Sequence, residues 1–286
     1  MRLKHFATIT FAALVTIPLT AGSTFAQSAI EKSLVAKSRL HARIWTRHDS
    51  DSSIEVNHGA WNAFLKKYVG PDNRGINLVA YSRVSNSDKA SLKNYLEALQ
   101  STDVTKLNRN EQYAFWINLY NASTVNIGID NYPVKSILNV KSSILDLKGP
   151  FNDPVATVNG KTLTLDDIES GIVRPIWKDP RLHYAFNCAA VSCPNLGSEA
   201  YLGKNINAQL DAAAASYVND TRGVRIEGDK ITASKIYFWY DVDFGGNEVG
   251  ILSHIRKYAK PGLKSALDGK TGIAKYEYDW ALNDRR

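Results

Sequence analysis

NRNEQYAFWINLYNASTVNI, residues 108–127, is the stretch on which the fold turns. At about 100° per residue it places Tyr113, Trp116, Ile117, Tyr120 and Ile127 on one side of a helix. The opposite side carries Glu111, Ala114, Asn118 and Asn121, flanked by Phe115, Leu119, Ala122 and Val125. Because apolar residues border this polar stripe on both edges, it is expected to face protein instead of water. A buried carboxylate and buried amides then need partners, or each costs on the order of 1–3 kcal/mol. Asn108 and Glu111 have the spacing of a capping box, which suits a helix start and leaves room for a second role in lining a site.

Shorter helices are predicted toward the N-terminus. Ala29 to Trp45 has helical apolar spacing, Gly59 to Tyr68 gives a helix closed by Gly70-Pro71, and Ser85 with Asp88 opens a third that runs to Gln100. Toward the C-terminus, Asn159-Gly160 between Val155–Val158 and Lys161–Leu165 marks a hairpin, since Asn-Gly accepts the positive φ angles of a tight turn. A short helix from Asp166 to Val173, a strand from Arg181 to Phe186 and an Ala-rich helix from Asn205 to Val218 are expected next. A hairpin through Gly228-Asp229, a helix from Asn247 to Ala259 and a strand from Ile273 to Trp280 complete the chain. Strands scattered among helices without regular alternation predict an α+β fold, a single globular domain of helices packed on a small, mainly antiparallel sheet.

Composition narrows the class further. Apolar residues make up 44% and charged residues 22%, and the chain carries 14 Tyr, 9 Phe and 6 Trp, too much apolar bulk for a disordered chain. Two cysteines are too few for a disulfide scaffold, so core burial must hold the fold. Residues 1–26 read as a secretory signal peptide: Arg2, Lys4 and His5, then an apolar stretch from Phe6 to Leu19, then small residues up to Ala26. Cleavage there removes two cations and no acid, lowering the formal net charge from +7 to +5. The expected product is periplasmic or secreted, with no integral membrane segment after cleavage. It has no Lys/Arg block or nucleic-acid module, so no nucleic-acid partner is expected.

RLHYAFNCAAVSCP, residues 181–194, holds both thiols and His183. A thiolate nucleophile at Cys188 needs an imidazole or a helix N-terminus to lower its pKa, and free backbone N–H groups after it would bind an oxyanion. In a straight strand His183 and Cys188 would lie on opposite faces, so such a pair requires a bend at Asn187 or Cys188. The competing reading is a Cys188–Cys193 disulfide, as suits an oxidising compartment. No metal site is assigned, because two Cys and one His lack the usual paired spacings. His254 is read as a structural histidine; His41, His48 and His58 as surface residues. Tyr240, Asp241 and Asp243 read as the polar end of a packed aromatic strand.

Four segments together resemble the domain of unknown function 547 family: EQYAFWINLYNA (111–122), HYAFNCAAVSCP (183–194), FWYDVDF (238–244) and YDWALN (278–283). The resemblance implies a core domain over 106–286, with 27–105 as an N-terminal helical portion packed onto it as one unit. It implies a papain-like or transglutaminase-like thiol site in rearranged order, because His183 precedes Cys188 in the chain. In that scheme Cys188 is the nucleophile, His183 the base and Glu111 the carboxylate that orients it, with Asp243 in reserve. Asn118, Asn121, Asn187 and Tyr240 would contact a small-molecule or peptide substrate, and no cofactor is needed. The function expected is an exported thiol-dependent hydrolase or acyltransferase acting on an amide, peptide or thioester. The alternative is a non-catalytic cell-envelope binding module with the two cysteines joined.

Overall fold

Asn108 caps the long helix as its position predicts: its Oδ1 accepts the Glu111 N–H at 3.0 Å, and the helix runs Arg109–Asp130. In the computed structural model, which describes residues 37–140 and 149–285 together with 32 and 35, every residue of this helix from Glu111 to Val125 is buried. A helix apolar on one side and amide-bearing on the other is covered all round only if other segments supply hydrogen-bond partners, and they do so here. The expected leader at 1–26 lies outside the described residues, as do positions 29–31, 33, 34 and 36 of the expected Ala29–Trp45 helix; the stretch 37–42 is not helical, and a 3-10 turn at Arg43–Thr46 follows it.

The helix Asn86–Gln100 packs beside it. Ser85 accepts the Asp88 N–H at 3.1 Å at its start. Ahead of these lies the helix Gly59–Tyr68, which leads into strand β1 (Val69–Pro71), paired antiparallel with β2 (Asn77–Val79). β3 (Pro154–Val158) and β4 (Lys161–Thr164) form the hairpin foreseen around Asn159-Gly160, whose φ angles are 45° and 71°. β5 (Val224–Glu227) and β6 (Lys230–Ser234) form the second hairpin, and β7 (Lys275–Glu277) adds to β6 in parallel. The fold is therefore α+β, its strands divided among two antiparallel ribbons and one mixed three-stranded sheet.

Within residues 36–286, one compact unit, the apolar residues gather into two clusters. The larger surrounds the long helix and reaches from Trp45 to Leu282. The smaller is built on Tyr184, Tyr217, Tyr237, Phe244 and Leu252. Leu182, Ala185 and Phe186 belong to the first cluster and Tyr184 to the second, so the segment leading to Cys188 is pinned from both cores. That segment is not the strand its alternation suggested. Pro180, with fixed φ and no N–H, starts a 3-10 helix at Pro180–Tyr184, capped by Asp179 Oδ1 accepting the Arg181 N–H at 2.9 Å.

Candidate functional site

The chain turns at Asn187 through a set of hydrogen bonds that use its whole side chain. Asn187 Oδ1 accepts the Ala189 N–H at 3.0 Å and the Asn283 Nδ2 at 3.3 Å, while its Nδ2 donates to Pro194 O at 2.8 Å. Ala189 adopts φ 59°, the left-handed conformation that reverses the chain just after Cys188. This turn brings the Cys188 and Cys193 Cα atoms to 6.2 Å, and the two residues are disulfide-bonded. The Cys188 N–H donates to Cys193 Sγ at 2.9 Å. The Tyr278 hydroxyl lies 3.0 Å from Cys188 Sγ and 3.1 Å from Cys193 Sγ.

His183 is buried a short way upstream and faces carboxylates. Its Nε2 donates to Asp243 Oδ2 at 2.8 Å, and its Nδ1 is 3.6 Å from Glu169 Oε1. Arg174 Nε donates to the same Asp243 oxygen at 2.6 Å, and Arg174 Nη1 donates to Ser170 Oγ at 3.1 Å. Tyr240 stacks on the imidazole with centroids 4.0 Å apart, and the Arg174 guanidinium sits 4.8 Å from the centroid of the same Tyr240 ring. Burial alone would push the Asp243 carboxyl up, but the hydrogen bonds and charges of His183 and Arg174 hold it below its ordinary value.

Glu169 and Ser170 reach this cluster from Asp167–Val173, a π-helical turn in place of the ordinary short helix expected there. The wider turn is closed by the Arg174 N–H donating to Glu169 O. Burial, and then the Glu169 charge, push the Tyr240 hydroxyl well above its usual range; the same carboxylate contributes to raising Tyr278. Glu169 and Arg174 belong to this cluster although no motif marks them in the sequence. The available signal was an acid set among Ile168, Ile172 and Val173, an apolar run in which an ionised side chain needs a built partner.

Glu111, expected to orient His183, does something else. Its Oε1 accepts the Val56 N–H at 2.7 Å and its Oε2 accepts the Gly203 N–H at 3.2 Å. The carboxylate at His183 Nε2 is Asp243, the reserve candidate. Glu111 instead ties two loops to the helix start, and Gly203 is needed for that approach: a Cβ there would stand 2.8 Å from the Glu111 backbone N and Cα.

The three amides expected to contact substrate are likewise occupied by backbone. Asn118 Nδ2 donates to Tyr201 O at 2.8 Å and its Oδ1 accepts the Tyr201 N–H at 3.0 Å. Asn121 does the same for the cysteine loop, donating to Ala185 O at 2.9 Å and accepting the Asn187 N–H at 2.9 Å. Asn121 and Asn187 thus shape the disulfide turn, and Tyr240 holds the His183 ring. His58 is buried, contrary to its expected surface place: its Nδ1 meets Tyr95 OH at 2.6 Å and its Nε2 meets Asn118 Nδ2 at 3.3 Å. Burial pulls it down to about 4. His254 stacks on Tyr184 at 5.8 Å within the second core, as a structural histidine should.

Beyond Tyr278 opens a cleft of about 530 Å³ lined by Ser192, Thr221, Arg222, Arg225, Lys235 and Tyr278 among others. Arg222 anchors its floor, donating from Nη1 to Val191 O and Cys193 O, both at 3.0 Å, while Asp220 accepts from its Nε and Nη2. No helix among the described residues is long and apolar enough to cross a membrane. No group of three or more His, Cys, Asp or Glu among them could hold a metal ion.

Fold and site define an α+β domain in which a disulfide turn and a buried histidine–carboxylate cluster are held together by aromatic residues. Residues 104–218 match the model of the family described as protein of unknown function, DUF547, and the chain carries a domain of that family. Asp243 and Tyr278 lie past the matched residues yet complete the site. No curated protein and no solved structure matches the chain.

Proposed function

We propose that the protein is an exported, non-catalytic binding module of the cell envelope, in which the Cys188–Cys193 bond fixes one wall of a ligand cleft. The observation that carries this reading is that both sulfurs are spent on each other while both His183 nitrogens face carboxylates. A Cys–His nucleophile requires the opposite: a free thiolate with an imidazole nitrogen turned toward it. The cleft beside Tyr278, with arginine, lysine, threonine and tyrosine on its walls together with the carboxylates of Glu277 and Asp279, is a suitable size for a small molecule or a short peptide. Export is supported by the leader pattern of residues 1–26 and by the pairing of the cysteines.

A thiol-dependent hydrolase or acyltransferase acting on an amide, peptide or thioester is the second reading, favoured by the Asp243–His183 hydrogen bond at 2.8 Å, which fixes the Nε2–H tautomer and leaves Nδ1 as a base. It requires the disulfide to be reduced. Incubation of oxidised and reduced protein with a small acyl thioester separates the two. The binding reading expects no turnover above buffer in either state. Turnover in the reduced protein that disappears in Cys188→Ala overturns it and establishes the thiol enzyme.

A further inference from the structure

We infer that the Cys188–Cys193 disulfide is a polarised exchange site, with Cys188 as the sulfur that an external thiolate attacks and Cys193 as the sulfur that leaves. The inference goes beyond the binding reading and is independent of what the cleft holds.

Three observations distinguish the two ends of the bond. Cys188 is half-buried, whereas Cys193 is only 1% exposed, so an incoming sulfur reaches the first more readily. The Cys188 N–H is aimed at Cys193 Sγ at 2.9 Å, whereas among the described residues no backbone N–H is aimed at Cys188 Sγ; the Tyr278 hydroxyl is nearly equidistant and serves both. Arg222, whose side chain is 10% exposed and paired with Asp220, donates to Cys193 O at 3.0 Å, so the Cys193 end of the bond is anchored through its backbone. A backbone N–H aimed at a sulfur favours its thiolate over its thiol. In thiol–disulfide exchange the better-stabilised thiolate is the better leaving group.

The partner this chemistry fits is a dithiol reductant. One of its thiolates attacks Cys188 Sγ; the new S–S bond forms as the Cys188–Cys193 bond breaks, and the electron pair leaves on Cys193 Sγ. The second thiolate of the reductant then attacks its own sulfur in the mixed disulfide and releases Cys188 as a thiolate. The reductant ends as a disulfide, the protein as a dithiol pair, and the protons of the reductant are taken up by the released thiolates or by solvent.

Glutathione tests the polarity, because as a monothiol it cannot resolve its own mixed disulfide intramolecularly, and alkylation of the freed protein thiol traps the first adduct before a second glutathione resolves it. The folded, oxidised protein is exposed to reduced glutathione, quenched with N-ethylmaleimide and digested, and the adducts are mapped by peptide mass. The expected result is glutathione on Cys188 and maleimide on Cys193, in excess over the reverse by about tenfold, the ratio that one hydrogen bond to the leaving thiolate supports. In denaturant the bias should vanish. Adducts predominantly on Cys193, an even split in the folded protein, or no adduct until the protein is unfolded would each overturn the inference.

Discussion

His183 Nε2 and Asp243 Oδ2 meet at 2.8 Å, and the same oxygen also receives Arg174 Nε at 2.6 Å. One carboxylate oxygen thereby joins the 3-10 helix before the cysteine turn to the π-helical turn that carries Glu169. Asp243→Asn removes the charge while keeping the shape. It should cost about 2–3 kcal/mol in urea unfolding at pH 7, the scale for hydrogen bonds to a charged group that leave buried donors behind. The folded Asp243 carboxyl is held below its ordinary value, so its contribution is present above about pH 4 and lost as pH falls through the lower folded value. The variant should therefore lose less stability than the parent on acidification below pH 4.

His58 predicts a second pH dependence at a different place in the molecule. Burial holds it at about 4, so between its ordinary value and 4 the unfolded chain binds a proton that the folded one refuses. Stability then falls with decreasing pH, by about 2 kcal/mol from this residue between pH 7 and pH 5. Urea curves at the two pH values should show this loss in the parent protein and a smaller one in His58→Gln.

Asn121→Leu tests how the cysteine turn is held. The leucine leaves the Asn187 N–H and the Ala185 carbonyl buried without their amide partner, at a cost of about 2–4 kcal/mol in total. The melting temperature should drop. The Asn187–Pro194 backbone should also lose amide protection in hydrogen exchange before the Asn86–Gln100 helix does.

Gly203→Ala probes the approach of the loop at 203 to the long helix. A Cβ at 2.8 Å from the Glu111 backbone forces the loop outward, which should lower stability by about 1–3 kcal/mol. Thermal unfolding of this variant against Gly262→Ala, where an added Cβ meets nothing within 4 Å, provides the control.

Much of the local architecture was legible because it depends on near neighbours. Ser85 and Asn108 each accept the N–H three residues on, and Asn159-Gly160 turns the hairpin, as their spacing predicts; the return half of the Asn108–Glu111 capping box is not made, because the Glu111 carboxylate accepts from Val56 and Gly203 instead. The burial of the polar stripe was legible too, from the apolar residues on its edges. Its partners were not: Glu111 reaches back to Val56 and forward to Gly203, and Asn118 to Tyr201, separations at which periodicity carries no information. The same limit separates Glu111, whose carboxylate accepts from Val56 and Gly203, from Glu169, whose Oε1 lies 3.6 Å from His183 Nδ1. The segment Arg181–Phe186 alternates like a strand, but Pro180, the Asp179 cap and the claims of two separate cores on neighbouring side chains make it a 3-10 turn.

The state of the two sulfurs is the point from which the functional account proceeds. Protein purified without reductant is unfolded in denaturant with excess iodoacetamide, and its intact mass is compared with that of a reduced and alkylated sample. The account predicts an unlabelled species, two hydrogen atoms lighter than the dithiol, with both labels taken up only after reduction. A species that carries two labels before any reductant is added would contradict it.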